Sequence, residues 1–558
     1  MSNAELKVFF QQILNPDRHF YVLALIYTVA ISLLTLAVPI SVQTLIGSVA
    51  NTALVQPVLV LSLMLFVLLL FSGVLYALRQ YVMELFRRRI YSRLNAEIVL
   101  RALHADSLFF DTADRRALFS RYFDIMTLQK TVPSLLVGGF SLALQSLVGF
   151  IVVSLYHPVF LLMNIAFVLL VGLIWRVWAP RAVQSSMALS HKKYAMADWL
   201  SELSGHHHLY RSQHGRDYAL TQTEAKTHNY VKTHAQHFKQ VFSQSIALLL
   251  LYAFASSTLL GLGGWLVIIG ELSLGQLVAA ELIMTAIFLG FAQANQYLDT
   301  YYDLCAGIEE LSLLMRIPHH RHEGQQALNQ NHSQLSIKGV RTSLRKHEVR
   351  FDIEIPHQAF VSAHADRRLL QSLFEQCLQG DTRINGGQII LGDQDLNDIE
   401  LTALRTAIQR IDHADVMPVT IAEYLQRCSE AQQEAVPSRR MQRELLSLLG
   451  VDEVIDQLEL GWNTPLQSNG MPLSTAETIK LKLVACLLSR PKVLIWSQAV
   501  DVIDSESLQR LLSYCRQQSW CPTIISFSRH QIPMWSHKLD IGEQKQSLYG
   551  LNGALAHG

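Results

Sequence analysis

The hydrophobic positions of this chain are concentrated in six long runs before residue 292. The clearest run, Val58–Ala77, carries no charge and is long enough to cross a bilayer core of roughly 30 Å as a helix. The other runs are Tyr21–Ile46, Val132–Tyr156, Val159–Val177, Ile246–Ile269 and Leu274–Phe291. A soluble protein could bury one such helix, but six of them predict a membrane domain with six spans.

Basic residues lie near one set of span ends. Lys7 and Arg18 precede the first span, and Arg87-Arg88-Arg89 follow the second. The short connections 50–56, 157–158 and 270–273 contain neither Lys nor Arg. The positive-inside rule therefore predicts a multi-pass plasma (inner) membrane protein with both termini and both long inter-span segments in the cytoplasm. The first span is too long for a signal-peptide core, so we expect it to be retained.

The polarity pattern changes after residue 302. Leu304–Ile317 continues as a helix, residues 318–334 form a polar linker, and residues 335–558 alternate strands with helices. The predicted strands are Leu335–Val340, Val349–Ile355, Ala359–Ala363, Gln388–Leu391, Val493–Trp496 and Thr523–Ser528. The predicted helices include Arg367–Leu378, Pro437–Leu449, Ser474–Leu488 and Ser505–Gln517. This alternation predicts an α/β domain with a largely parallel sheet, after a transmembrane domain (1–317) with two long helical extensions.

Several segments resemble ABC exporter half-transporters of the type I secretion or peptide exporter kind. Gly270–Leu277 closely matches the approach to the sixth span, and Glu202–Gly205 fits the second intracellular loop. Leu473–Glu477, followed by a helix and the strand Val493–Trp496, has the register of the signature helix and Walker B strand. The resemblance covers nearly the whole chain. It implies a homodimer, or a heterodimer with another half-transporter, together with possible further export components.

The resemblance also implies which residues couple the two domains. In this family the soluble domain grips intracellular loops of the membrane domain. The corresponding residues here are Phe109, Phe110, Asp111, Arg115, Gly205 and Tyr210. Nothing in these loops identifies a substrate.

The phosphate-binding loop differs most from the family pattern. Such a loop needs glycines, whose backbone N–H groups surround the phosphates, together with a Lys and a Ser or Thr that binds Mg²⁺. The corresponding segment, Ser362–Leu369, has no glycine. Asp366 places a negative charge near the phosphate position, Arg368 replaces the Lys, and Leu369 cannot bind Mg²⁺. No Gly-x-x-x-x-Gly-Lys-Ser/Thr occurs elsewhere in the chain.

The other nucleotide motifs are altered as well. Ser497 and Gln498 replace the Asp-Glu that closes the Walker B strand, and Thr475 and Ala476 replace the two signature glycines. The degenerate ATP-site positions are Ser362, Asp366, Arg367, Arg368, Leu369, His413, Ser474, Thr475, Ala476, Glu477, Ser497, Gln498, Asp504 and Arg529. Here His413 stands at the Gln-loop position, Arg529 at the switch-histidine position, and Asp504 is retained. We therefore expect no ATP or Mg²⁺ cofactor and no ATPase activity from this chain alone.

One carboxylate lies inside the predicted membrane region. Glu281 is about two turns into the sixth span, and an intramembrane acid is a functional hypothesis by default. The membrane cavity candidates are Glu281, Gln276, Thr285, Phe288, Gln145 and Asn164. Glu281 could contact a cationic or peptide substrate or carry a proton, or it could be a hydrated residue near the outer interface.

The remaining reactive side chains do not form a recognisable site. The six cysteines show no Cys-x-x-Cys pair and lie after the last span, so we expect reduced packing thiols. His206-His207-His208 are adjacent and do not share a helix face, so no metal site is predicted.

The sequence supports three hypotheses about function. The first is a membrane subunit of an ABC exporter-like system whose pseudo-ATPase domain acts in assembly, gating or regulation. The second is the impaired half of a heterodimeric, ATP-driven exporter of peptide, protein or lipid. The third is a membrane scaffold or receptor subunit that transports nothing. The formal net charge of +1 argues against a nucleic-acid partner.

Overall fold

A computed structural model describes residues 3–551 except 53–54, 106–108, 111–116, 319–323, 329–333, 345–346, 383, 431–438 and 544–545. The chain divides into two compact units, Met1–His319 and His320–Gly558. The first unit is helical and the second contains both sheets.

The helices of the first unit, in chain order, are α1 (Asn3–Leu14), α2 (Arg18–Thr35), α3 (Ala37–Thr52), α4 (Val55–Leu103), α5 (Asp124–Ser134), α6 (Phe140–Ser154), α7 (Pro158–Gly205), α8 (Gln213–Ile268), α9 (Leu274–Gln293) and α10 (Asn295–Met315). They provide six helical segments that are long and apolar enough to cross a membrane: Lys7–Ile46, Val58–Leu103, Leu118–Ser154, Pro158–Gly205, Gln213–Ile268 and Leu274–Met315. The prediction of six spans is confirmed.

Three of these helices are much longer than a bilayer requires. α4, α7 and α8 contain 49, 48 and 56 residues. At about 1.5 Å per residue each exceeds the roughly 30 Å hydrocarbon core more than twofold. The helices therefore continue well beyond the apolar segments, as the sequence predicted. The polar segment of α7 ends at Gly205, and a short 3₁₀ helix, His207–Arg211, leads to α8.

The third span contains an irregular turn. Leu135–Gly139 forms a π-helix between α5 and α6. A Cβ atom on Gly138 would clash with the ring of Tyr297 in α10. The absence of a side chain at Gly138 lets α10 pack directly against the π-helix. The sixth span is also interrupted, because α9 ends and α10 begins on either side of Ala294.

The second unit has two sheets instead of the single sheet that the sequence suggested. The strands are β1 (Leu335–Leu344), β2 (His347–Ile355), β3 (Phe360–Ala365), β4 (Gly386–Leu391), β5 (Gln394–Asp395), β6 (Ile408–Ile411), β7 (Val493–Trp496), β8 (Thr523–Ser526), β9 (His537–Ile541) and β10 (Gln546–Gly550). One sheet has the order β10-β9-β3-β8-β7-β6, and only its β9–β10 pair is antiparallel. The other sheet, β2-β1-β4-β5, is antiparallel throughout.

Helices pack against these sheets and bury their apolar residues. The helices are α11 (Arg368–Leu378), α12 (Leu401–Ala407), α13 (Ile421–Glu430), α14 (Arg439–Leu448), α15 (Asp452–Gln457), α16 (Thr475–Leu488) and α17 (Ser505–Gln517). All four residues of β7 are buried, which explains why this central parallel strand is a continuous apolar run. The candidate site begins with the residues that directly follow β7.

Candidate functional site

The segment at the phosphate-loop position is mostly a strand. β3 continues to Ala365 and pairs in parallel with β9, with His364 opposite Asp540 and Ala365 opposite Ile541. The backbone N–H of Asp366 also donates to the carbonyl of Ile541, at 3.1 Å. Because α11 begins at Arg368, only two residues separate the strand from the helix. Ser362–Ala365 therefore belong to a ladder and do not form a phosphate cradle.

The side chains at this junction are exposed. Arg367 has an extended backbone (φ −137°), and its guanidinium lies 2.6 Å from a carboxylate oxygen of Glu543. Asp366 and Arg368 point to solvent, and Leu369 is 43% exposed. Leu369 offers no oxygen to a Mg²⁺ ion. The Glu543 carboxylate therefore offsets part of the positive charge that Arg367 brings to this junction.

A network of charges lies behind this junction, and the sequence analysis missed it. Arg410 of β6 contacts the buried carboxylate of Glu375 in α11, at 3.4 Å, and also hydrogen-bonds to Asp412. Lys482 of α16 lies 3.7 Å from Asp412 and donates to the carbonyl of His413, at 3.0 Å. The alternation Ile408-Gln409-Arg410-Ile411-Asp412 is the signal that could have indicated a strand with two charges on one face.

Burial and neighbouring charges shift the pKa values of the two carboxylates in this network. Burial raises the pKa of Glu375 above its ordinary value, and this effect exceeds the opposing effects of Gln371 and Arg410. Burial also acts to raise the pKa of Asp412, but Arg410 and Lys482 together hold that pKa below its ordinary value. The side chain of His413, the predicted Gln-loop residue, is 69% exposed and lies 3.9 Å from Asp412.

Ser497 and Gln498 follow β7, as predicted, but Ser497 has a structural role. Its backbone N–H donates to the carbonyl of Ile411 at 3.0 Å, and its hydroxyl accepts from the N–H of Ala499 at 3.1 Å. It thus caps the 3₁₀ helix Gln498–Val502. The side chain of Gln498 is exposed. Neither residue carries the carboxylate that binds Mg²⁺ or accepts a proton.

The signature segment forms a capping box. The Glu477 carboxylate accepts from the backbone N–H of Ser474 at 2.7 Å, and the Ser474 hydroxyl accepts from the N–H of Glu477 at 3.4 Å. Thr475 and Ala476 lie in the first turn of α16 between these two residues. A carboxylate at a helix N-terminus satisfies the positive end of the helix dipole and repels a second anion.

Asp504 and Arg529 also make local contacts. The Asp504 carboxylate caps α17 by accepting from the N–H of Ser507 at 2.7 Å, and such hydrogen bonds hold the pKa of Asp504 below its ordinary value despite partial desolvation. The backbone N–H of Arg529 donates to Asp501 at 2.8 Å, while its side chain is exposed. His530, the residue after Arg529, contacts the hydroxyl of Ser505 at 2.9 Å.

The structure separates the predicted membrane residues into different surroundings. Glu281 accepts a hydrogen bond from Thr285 at 3.2 Å, and its second, buried oxygen has no partner among the described residues. The Asn164 amide donates to the carbonyl of Phe150 and to Ser154, at 3.2 and 2.9 Å, and so joins α7 to α6 instead of binding Glu281.

The other membrane candidates are capping or packing residues. Gln276 forms a capping box with Ser273 at the start of α9. Phe288 is fully buried, with its ring 4.9 Å from that of Phe167. Gln145 is partly buried in α6.

The described residues of the coupling loops pack within the first unit. The Phe110 ring lies 5.3 Å from Phe109 and 5.7 Å from Phe119. Gly205 ends α7, and the Tyr210 ring lies 5.7 Å from that of Trp199. The predicted coupling residues Asp111 and Arg115 are outside the described residues. Their proposed contact with the second unit therefore stays a prediction.

An ion-pair cluster near these loops was also missed. Arg121 donates to the buried Glu310 of α10 at 2.7 Å, and Lys193 of α7 lies 3.2 Å from the buried Asp124. His191 lies 3.7 Å from Glu310. The pairs connect α7, α10 and the third span outside the apolar segments. Within the described part of the chain, no group of three or more His, Cys, Asp or Glu side chains could hold a metal ion.

Comparisons with known proteins agree with this architecture. Residues 21–291 match the family model for the ABC transporter transmembrane region. The chain is 22% identical over 267 residues to the leukotoxin translocation ATP-binding protein LktB of Mannheimia glucosida, and 22% identical over 268 residues to that of Mannheimia haemolytica. Each match covers 46% of this chain and only 37% of the relative.

A solved structure gives the broader comparison. The match is to the structure of a bacterial Atm1-family ABC exporter with ATP bound. It covers 95% of this chain and 96% of the exporter chain. The TM-score is 0.78 at 17% sequence identity, so the likeness is one of fold. The chain therefore has the fold of an ABC exporter, with six apolar helical spans followed by an α/β unit.

Proposed function

We propose that this chain is the membrane subunit of an ABC exporter-like system whose α/β domain neither binds ATP tightly nor hydrolyses it. In this proposal the domain acts in assembly, gating or regulation of export. The observation that carries the proposal is the extension of β3 through Ala365, which places four phosphate-loop positions in a parallel ladder with β9. A backbone in a ladder cannot also direct successive N–H groups towards phosphates.

The chemistry of the neighbouring positions supports the same proposal. ATP hydrolysis needs a group that binds Mg²⁺ and a carboxylate that polarises the attacking water. The Leu369 side chain has no oxygen, and the Ser497 hydroxyl is engaged as a helix cap. Exposed Gln498 can orient a water but cannot accept its proton.

The signature segment bears on what a partner subunit could supply. In the family, the signature of one subunit completes the ATP site of the other. Here the Glu477 carboxylate is bound at the start of α16, where a phosphate would need to approach. A nucleotide held by an intact partner would meet this negative charge. We therefore infer that both composite sites of a dimer with this chain are impaired.

The remaining parts of the proposal follow from the family. The chain would be a homodimer or a heterodimer in the plasma (inner) membrane, with both termini in the cytoplasm. Its cargo would be a peptide, a protein or a lipidic molecule. Glu281, with its unpartnered buried oxygen, is the residue that we expect to contact such a cargo or a proton. A Glu281→Gln variant should change cargo accumulation or assembly, and Thr285→Val is the control that removes only the hydrogen-bond donor.

The test is a nucleotide-binding measurement on the purified full-length chain in detergent. A fluorescent ATP analogue with Mg²⁺ should show no saturable binding below about millimolar concentration, whereas an ABC exporter with intact motifs should bind in the micromolar range. An Arg368→Ala variant should behave like the wild type, since no phosphate loop is formed. Micromolar binding that Arg368→Ala abolishes would show that the loop works.

A second candidate function is the impaired half of a heterodimeric, ATP-driven exporter. The observation in its favour is that Ser474 is retained and exposed at the start of the signature helix. ATPase activity of this chain mixed with a partner half-transporter, compared with each alone, separates the two functions. A Glu477→Gln variant that increases activity of the mixture would favour the heterodimer, because it removes the repelling charge. No effect of this chain on its partner's ATPase favours the first proposal.

A further inference from the structure

An arginine is enclosed in the membrane unit without a counter-ion. Arg79 of α4 is only 3% exposed. One of its terminal nitrogens donates to the hydroxyl of Thr28 in α2 at 3.1 Å, and its guanidinium carbon lies 5.1 Å from the centre of the Tyr76 ring. Its Nε–H is buried and has no acceptor among the described residues, and no described Asp or Glu pairs with it.

These contacts do not neutralise the guanidinium. Enclosing an unpaired charge is strongly unfavourable, and a cation–π contact offsets only part of that cost. The Thr28 hydroxyl donates to the carbonyl of Ala24 at 2.7 Å and accepts from Arg79, so it brings no negative charge. The described residues therefore supply no counter-ion for Arg79.

A second unpartnered donor lies on the same helix face. Ser32 is one turn beyond Thr28 in α2 and is fully buried, and its hydroxyl has no partner among the described residues. Successive positions four residues apart share one face of a helix. An Arg side chain has hydrogen-bond donors only, and the hydroxyl hydrogen of Ser32 has no acceptor among the described residues. Two buried donors without acceptors fit a ligand that has acceptors only, which is an oxyanion.

The backbone around this place is irregular. The π-helix Leu135–Gly139 packs against α2 and against α10. π-helical turns occur frequently at functional sites, and irregular backbone within a membrane is tolerated where it lines a cavity or is covered by protein.

We propose that Arg79, together with Thr28 and Ser32, forms an intramembrane site for an oxyanion, either a carboxylate or a phosphate. The planar guanidinium can hold two oxygens of such a group through its fork of N–H donors, and Ser32 supplies a further donor. The anion belongs either to a phospholipid headgroup or to a free anion from solution. This anion site depends neither on nucleotide binding nor on transport. Its test is therefore independent of the test of the proposed function.

The experiment uses the full-length chain in nanodiscs of zwitterionic phosphatidylcholine. In the lipid arm, phosphatidylglycerol is added and the lipids retained by the protein are counted by native mass spectrometry. In the soluble arm, thermal unfolding is followed with increasing inorganic phosphate or succinate, because a ligand that binds the folded state raises its unfolding temperature. The variants are Arg79→Gln, which keeps a donor for Thr28 without the charge, and Ser32→Ala. Arg88→Gln is the matched control, since Arg88 lies on the same helix, 73% exposed and paired with Glu84.

Wild type and Arg88→Gln should bind one of the two probes about tenfold more tightly than Arg79→Gln does, a ratio that corresponds to one charge-assisted contact. Ser32→Ala should weaken binding by a few-fold. Retention of phosphatidylglycerol identifies a headgroup as the source, and a response to phosphate or succinate identifies a free anion. If Arg79→Gln does not fold, Arg79→Lys replaces it and should bind more weakly than wild type because the fork is lost. Equal binding of both probes by wild type and the Arg79 variant overturns the proposal.

Discussion

Arg410→Met tests the charge network behind the phosphate-loop position. Arg410 of β6 lies between two carboxylates, Glu375 of α11 and Asp412 at the end of the strand. The Glu375 side chain is 6% exposed and the Asp412 side chain 21% exposed. Replacing Arg410 with an uncharged residue of similar length would leave both charges without their shared partner.

The magnitude follows from burial. Removing one partner of a fully buried ion pair costs about 3–5 kcal/mol, because the other charge stays buried and uncompensated. Arg410 is 23% exposed, and Lys482 still faces Asp412, so water and this second cation reduce the loss. We expect Arg410→Met to lower the free energy of opening of β6 by about 2–3 kcal/mol.

The effect should depend on pH, and its sign follows from Asp412. The folded-state pKa of Asp412 is below its ordinary value, so its stabilising contribution is present above about pH 4 and is lost as the pH falls through the folded pKa. Without Arg410 the pKa values of both carboxylates rise, and protonation then relieves the buried charge. The loss in Arg410→Met should therefore be larger at pH 7 than at pH 5.

The assay is hydrogen exchange of the full-length chain in detergent, read by mass spectrometry on peptides that cover Ile408–Ile411. Exchange rates are corrected for the intrinsic effect of pH and converted to opening free energies. The matched control is Arg427→Met, whose pair with Glu423 is 57% and 43% exposed and should contribute less than about 0.5 kcal/mol. An Arg410→Met effect no larger than that of the control, or equal at both pH values, refutes the reasoning.

Three further predictions concern the second unit. The folded-state pKa of Glu375 is above its ordinary value, so the contribution of Glu375 to stability is present below about pH 4 and is lost as the pH rises through the folded pKa. In Glu375→Gln, the free energy of urea unfolding should therefore no longer show this loss between pH 5 and pH 8. Gly470→Ala should destabilise the unit by about 2–4 kcal/mol, because φ is +88° and the new Cβ would clash with the buried Thr478 side chain. The control Gly450→Ala, in open space at φ +65°, should cost about 1 kcal/mol, and equal unfolding midpoints of the two variants would contradict this prediction. Burial raises the pKa of the Cys377 thiol to about 12, so iodoacetamide at pH 8 should label it only after denaturation, and rapid labelling of the native chain would show that it is accessible.

Much of the fold could be predicted because it depends on local patterns. β7 and α17 begin and end where the hydrophobic pattern placed them, and all six spans occur. β6 and β9 were missed for a physical reason. Each is four or five residues long and contains charged side chains, as in His537–Ile541, so its apolar content is too low to stand out from a loop. Such strands are fixed by their neighbours in the sheet instead of by their own composition.

The antiparallel sheet could not be foreseen for a related reason. β1 pairs with both β2 and β4, and the partner of a strand is a property of topology. Candidate site positions were recognisable from motif register, since Ser497 directly follows a predicted strand and Ser474 begins a predicted helix. The contacts of those residues were not, because Arg410 meets Glu375 across 35 positions and Arg79 meets Thr28 across 51. Pairs of this kind depend on the packing of helices and strands.

The proposed loss of ATPase chemistry has a structural counterpart at each motif. At the phosphate loop, the backbone that would hold phosphates pairs with β9 and donates to Ile541. After β7, the Ser497 hydroxyl caps a 3₁₀ helix, and in the signature, Glu477 closes a capping box. Substituting one residue at any of these places would leave the other contacts intact. Under this proposal the altered residues stabilise the unit, and the ABC exporter fold is retained because the same strands and helices now hold a different set of local contacts.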